Sequence, residues 1–176
     1  MNEESFLLLG LALYTAQKFE YGLYGIASHL SHLPVAKKDR RFTNLTPEIF
    51  LSSDPEHKAC RKATLGQICE LFGDSLLISG EELESFVASR NLIVHDFWRE
   101  VNPLKDSIGI QNPDEYLREF IEKGLQLTKV LHGLLSHMIE AAAKSQGRLD
   151  EIALTECDIE NRKAFEAVAS KWLTPQ

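Results

Sequence analysis

The segment SRNLIVHDFWR, residues 89 to 99, holds three side chains whose types and spacing could do chemistry: Arg90, Asn91 and His95. A histidine accepts and returns a proton near neutral pH, and an arginine holds a phosphate oxygen bidentately and offsets charge that builds in a transition state. Those are the needs of phosphodiester cleavage, and none of them calls for a metal. Asn91 and His95 are four residues apart, which on an α-helix puts them about 40° apart on one face. Arg90 lies about 140° from His95 on the same helix, close enough for its long side chain to bend toward that face.

The helix that must position them is otherwise apolar on its inner side. Leu83, Phe86, Ile93 and Phe97 follow at spacings of three, seven and four, and Arg90 takes the missing place in that seam. A guanidinium cannot discharge itself by losing a proton, so at such a place it needs either a partner or an opening. Two readings are open. Arg90 could pair structurally with a carboxylate of the fourth helix, such as Glu119 or Glu122, while His95 bonds a backbone carbonyl; or the face lines a cleft where the three polar groups act together.

Helix signals dominate the rest of the chain. Glu3 and Glu4 suit a first turn, and apolar residues continue to Pro34, which predicts a first helix of about 30 residues. Thr46-Pro47 and Asp54-Pro55 suit short helical turns in an irregular connection. Thr64 with Gln67, and Ser79 with Glu82, read as capping boxes for the second and third helices. Asn112, Pro113 and Glu115 open a fourth helix that runs to about Ala143. After Gly147, the residues Phe165, Val168, Ala169 and Trp172 mark one face of a terminal helix. No strand-period segment longer than a few residues and no internal repeat is present. The expectation is an all-α bundle of four main helices over residues 1–146, with a helical C-terminal extension over 147–176 packed on the same domain.

The order Arg90-Asn91-Leu92-Ile93-Val94-His95 resembles the R-polar-x3-H motif of HEPN domains, an all-α family of prokaryotic toxins, phage-defence nucleases and their eukaryotic relatives. With eight arginines and six histidines in the chain, the bare R-x4-H spacing recurs by chance about 0.3 times. The adjacent asparagine and the all-apolar interval lower that to the order of 0.01, so the combination carries the resemblance. Thr64-Leu65-Gly66-Gln67 is similar to the second-helix opening common in that family, and the helix order agrees over roughly residues 1 to 146.

The resemblance implies an HEPN-like four-helix bundle and a metal-independent RNA endonuclease, a toxin or phage-defence component, with Arg90, Asn91 and His95 as catalytic residues and no cofactor. His95 would take part in proton transfer while the RNA 2′-hydroxyl attacks the neighbouring phosphate. It also implies a homodimer with the third helices near the two-fold axis, and an antitoxin or nucleotidyltransferase partner. Non-catalytic HEPN-like domains give the alternative, a dimerisation or partner-binding module. One departure bears on the partner. Toxins of the family paired with minimal nucleotidyltransferases carry a modified tyrosine two residues after the histidine, where this chain has Phe97.

Composition sets the remaining bounds. Among 176 residues, 44% are hydrophobic and 26% charged, the profile of one globular domain. Three cysteines without a CxxC pair point away from a disulfide framework and toward a reducing, cytoplasmic setting. The apolar run from Phe6 to Tyr14 is too short to span a bilayer and follows two glutamates, so it reads as core helix and not as signal peptide. A net charge of −7 argues against a protein that coats nucleic acid, but residues 37–62 sum to +3. Lys37, Lys38, Arg40 and Arg41 in that segment are the candidate RNA phosphate contacts. His29 and His32 share a helix face, yet no second pair has ligand spacing, so no metal site is expected.

Overall fold

The computed structural model describes residues 3–31, 33–37, 39, 42, 45–52, 65–72, 80–102 and 109–173. Among these the chain is all-α, with no strand. The elements are α1 (Glu3–Leu30), α2 (Pro34–Lys37), α3 (Pro47–Leu51), α4 (Leu65–Phe72), α5 (Gly80–Asn91), a π-helical turn (Leu92–Asp96), α6 (Phe97–Val101), α7 (Pro113–Ser145), a 3-10 turn (Leu149–Glu151) and α8 (Glu156–Leu173).

The starts follow the local chemistry. The Thr46 hydroxyl accepts from the Ile49 N–H, with Pro47 at the first helical position of α3. Asn112 accepts from the Glu115 N–H at 3.3 Å and donates to the Glu115 carboxylate at 2.8 Å, which holds the start of α7 from both sides. Thr155 and Asp158 do the same for α8, each side chain accepting from the other's backbone N–H. Asp54, Pro55, Thr64 and Ser79, the other expected start signals, lie outside the described residues.

The core forms where α1 and α7 cross and α5 closes over them. From α1, Leu8, Ala12, Ala16, Phe19, Leu23 and Ile26 are buried; from α7, Leu117, Phe120, Ile121, Leu127, Val130 and Leu131. Each set follows the spacing of one helical face. Phe86 of α5 sits between them, edge-on to Phe19 and stacked on Phe120, both at 4.7 Å between ring centroids. Gly124 makes this approach possible, since a Cβ there would lie 2.6 Å from the Thr15 methyl and 3.0 Å from the Phe86 ring.

The chain turns at Gly147, whose φ of 68° is a left-handed conformation suited to glycine, and α8 folds back along α7. Ala164, Phe165, Val168 and Ala169 pack on that side, in line with the expected terminal face; the Trp172 side chain lies outside the described residues. Arg162 ties the two helices together through the Glu140 carboxylate, the Ser136 hydroxyl and the Ser136 carbonyl. Among the described residues, no helix is long and apolar enough to cross a membrane.

Candidate functional site

The seam of the third helix is built as its spacing predicts. Leu83, Phe86, Ile93 and Phe97 are buried, and Arg90 takes the remaining place half-buried. Its partner comes from α1, however, and not from the fourth helix. Arg90 Nη2 donates to Glu20 Oε2 at 3.1 Å, with side chains 23% and 26% exposed, so neither charge is fully removed from water. Glu119 and Glu122 are exposed on α7.

Arg90 Nη1 donates to Asn91 Oδ1 at 3.0 Å. The asparagine oxygen therefore steadies the guanidinium. Arg90 Nε is buried and has no hydrogen-bond acceptor. The guanidinium carries five N–H hydrogens, and these contacts engage only part of that capacity.

The largest difference from the sequence reading is in the backbone. An unbroken α-helix separates residues five apart by about 140°. Residues Leu92–Asp96 instead form a π-turn, in which hydrogen bonds close i→i+5 and each turn takes in extra chain. A turn of that kind takes more residues per revolution than an α-helix, so residues five apart in it stand closer around the axis than 140°. Such turns are rare, occur mostly as single bulges inside α-helices and are frequent at functional sites. Asp96 ends it at φ −125°, ψ 0°, outside helical values, and its carboxylate accepts from Arg99 at 2.9 Å.

His95 itself is exposed and makes no side-chain hydrogen bond to a described residue, so it is not the satisfied core histidine of the structural reading. It stands beside an apolar edge. The Glu20–Arg90 pair near one end and a Phe6–Trp98 ring contact at the other lay the third helix antiparallel along α1, with His95 between. Phe6, Leu7, Leu11 and Tyr14 of α1 and Val94 and Trp98 of the third helix are all exposed. On its other flank, Asn91 joins Leu83, Val87, Ala88 and Cys69 in lining a cleft of about 370 Å³ between α4 and α5. Burial pushes the Cys69 thiol up to about 11, so at neutral pH it is protonated and a poor nucleophile.

Of the basic segment, Lys37 is exposed at the end of α2; Lys38, Arg40 and Arg41 lie outside the described residues. Of the histidine pair, His29 is exposed, while His32 and Cys60 are likewise outside. Among the described residues no three His, Cys, Asp or Glu side chains gather closely enough to hold a metal ion.

Sequence reasoning missed Glu20. The only signal for it was position: four residues after Ala16 and three before Leu23, at the edge of the buried stripe of α1. No protein-family model matches the chain, and no curated protein or solved structure matches it either.

Proposed function

We propose that the protein is a metal-independent RNA endonuclease of HEPN type that works as a homodimer, in the setting of a toxin or phage-defence system. The observation that carries this reading is the Arg90–Asn91 hydrogen bond followed at once by the π-turn that presents His95 to solvent. A structural arginine needs no amide to orient it and a structural histidine needs no exposure, whereas a phosphate-holding arginine beside a proton-transfer group needs both. The 2′-hydroxyl of the ribose attacks the adjacent phosphorus, Arg90 balances the charge that builds on the phosphoryl oxygens, and His95 moves a proton.

The exposed apolar side chains Phe6, Leu7, Leu11 and Tyr14 of α1, with Val94 and Trp98 of the third helix, support the homodimer, because apolar side chains in such number are better covered than wet. Two copies joined there would line a shared cleft with two His95 side chains. An antitoxin could cover the same edge. Phe97 is buried and has no hydroxyl, so a nucleotidyltransferase partner would have to modify a residue elsewhere.

The deciding experiment incubates purified protein with single-stranded RNA and with DNA in EDTA. Cleavage of RNA alone, with cyclic-phosphate ends, is expected, and His95→Ala or Arg90→Ala should slow it by roughly 10²–10⁴-fold with the fold intact. A second reading, the non-catalytic dimerisation or partner-binding module, draws on the Glu20–Arg90 pair, which satisfies a structural arginine. It prevails if wild-type protein leaves varied RNAs uncut while Arg90→Ala melts at a much lower temperature.

A further inference from the structure

Cleavage by a 2′-hydroxyl needs two proton transfers, one away from the attacking oxygen and one to the leaving 5′-oxygen, and the Arg-Asn-His segment supplies one side chain suited to proton transfer, His95. Resting on the ribonuclease reading, we infer that Glu20 is the general base and His95 the general acid of the same site. Glu20 Oε2 already sits 3.1 Å from the Arg90 nitrogen Nη2. The planar fork of one guanidinium holds two acceptors side by side. A phosphate taken by the unengaged N–H groups of Arg90 therefore places the neighbouring 2′-hydroxyl within reach of the carboxylate.

The step balances. The 2′-oxygen forms a bond to phosphorus and its proton passes to the Glu20 carboxylate; the bond from phosphorus to the 5′-oxygen breaks, and the His95 imidazolium gives that oxygen its proton. The products are a 2′,3′-cyclic phosphate and a 5′-hydroxyl. Water or a second RNA strand later returns the two residues to their starting forms by ordinary proton exchange.

The other groups around Glu20 do not compete for the role. Among the described residues, Arg90 across the α1–α5 contact and Tyr24 one turn along α1 face it. Burial, with the Glu20 charge beside it, pushes the Tyr24 phenol up to about 12, so it stays protonated. The place of Glu20 at the half-exposed rim of the helix contact, 26% exposed, leaves the carboxylate open to a substrate.

The test separates base from acid with a substrate that does not need the acid. Purified full-length chain is assayed on single-stranded RNA and on uridine 3′-(4-nitrophenyl phosphate), whose nitrophenolate leaves without a proton. His95→Ala should lose roughly 10²–10⁴-fold in kcat on RNA and far less on the ester. Glu20→Gln, which still offers Arg90 an acceptor, should lose heavily in kcat on both with KM little changed, and Glu20→Asp should recover part of both rates. Wild-type kcat in Glu20→Gln, or a loss confined to KM, overturns the assignment and leaves Glu20 as a holder of Arg90. Should Glu20→Gln fail to fold, Glu20→Asp decides: a lowered kcat on both substrates supports the base, an unchanged one overturns it. Wild-type protein inactive on both substrates is a different failure, since it removes the ribonuclease reading itself.

Discussion

Phe6 of α1 and Trp98 of α6 meet ring to ring, 6.2 Å between centroids and 53° between planes, although they are 55% and 52% exposed. Two large aromatics that touch each other and still face water are half of a contact. They stand at the end of a strip that continues through Leu7, Leu11 and Tyr14 of α1. Gly10 lies within that strip with nothing within 4 Å of its Cβ position, so a partner helix can approach closely there.

The chain should therefore be a dimer at micromolar concentration, with this strip inside the interface. Light scattering should give twice the chain mass of 19.9 kDa for wild type. Leu7→Asp and Trp98→Asp should each give a monomer of unchanged helical content, because neither side chain is part of the core. A wild-type monomer would remove the dimer from the proposal, and dimeric variants would move the interface elsewhere.

Gly124→Ala should destabilise the bundle where α1, α5 and α7 meet. The new methyl would stand 2.6 Å from the Thr15 methyl carbon and 3.0 Å from the Phe86 ring, inside contact distance of two different helices. Overpacking of this kind costs about 1–3 kcal/mol, which outweighs the roughly 1 kcal/mol that alanine gains over glycine in helix propensity. Urea unfolding should show the midpoint falling; a rise would mean that α1 and α5 can both move aside.

His132 gives a pH dependence of known sign. Burial is the main cause that lowers its pKa, the Lys18 charge adds to the lowering, and Asp158 opposes it. The folded state thus favours the neutral ring, and the unfolded chain takes up more protons. The stability this contributes is complete above the unfolded value near 6.5 and is lost as pH falls through the lower folded value. His132→Gln should flatten the slope of stability against pH below about 6.5. An unchanged slope in that variant would place the dependence on another group.

The starts at Thr46 and Asn112 were legible because capping is a local matter, each side chain acting within three residues of itself; the Thr155 cap of α8 is equally local but was not read. The seam of the third helix was legible too, since burial of Leu83, Phe86, Ile93 and Phe97 follows from period alone. The π-turn was not. Its sequence, LIVHD, fits an α-helix equally well, and the extra residue in the turn has no side-chain signature. Nor was Glu20 as the partner of Arg90. Choosing among the chain's acidic residues requires knowing that α1 lies beside the third helix, a fact of tertiary packing that no spacing within either segment encodes.

The α8 helix supplies the last prediction, because it packs chiefly on α7. A Cβ at Gly133 would stand 2.2 Å from the Asn161 carbonyl oxygen and 2.7 Å from the Phe165 Cβ, and both obstacles are parts of α8 that no rotamer change can move. Polar ties cross the same contact: Arg162 bonds Glu140 and both the side chain and backbone of Ser136, and His137 faces Glu166 at 3.2 Å. Gly133→Ala should push the whole helix away, whereas Arg162→Ala should only loosen it. In hydrogen exchange, amides of residues 156–173 should lose protection in Gly133→Ala while those of α1 and the first half of α7 keep theirs, since the Phe19, Phe86 and Phe120 core does not include α8. Loss of protection throughout the chain would show instead that α8 and the bundle fold as one unit, and retained protection in α8 would show that the crossing can widen at little cost.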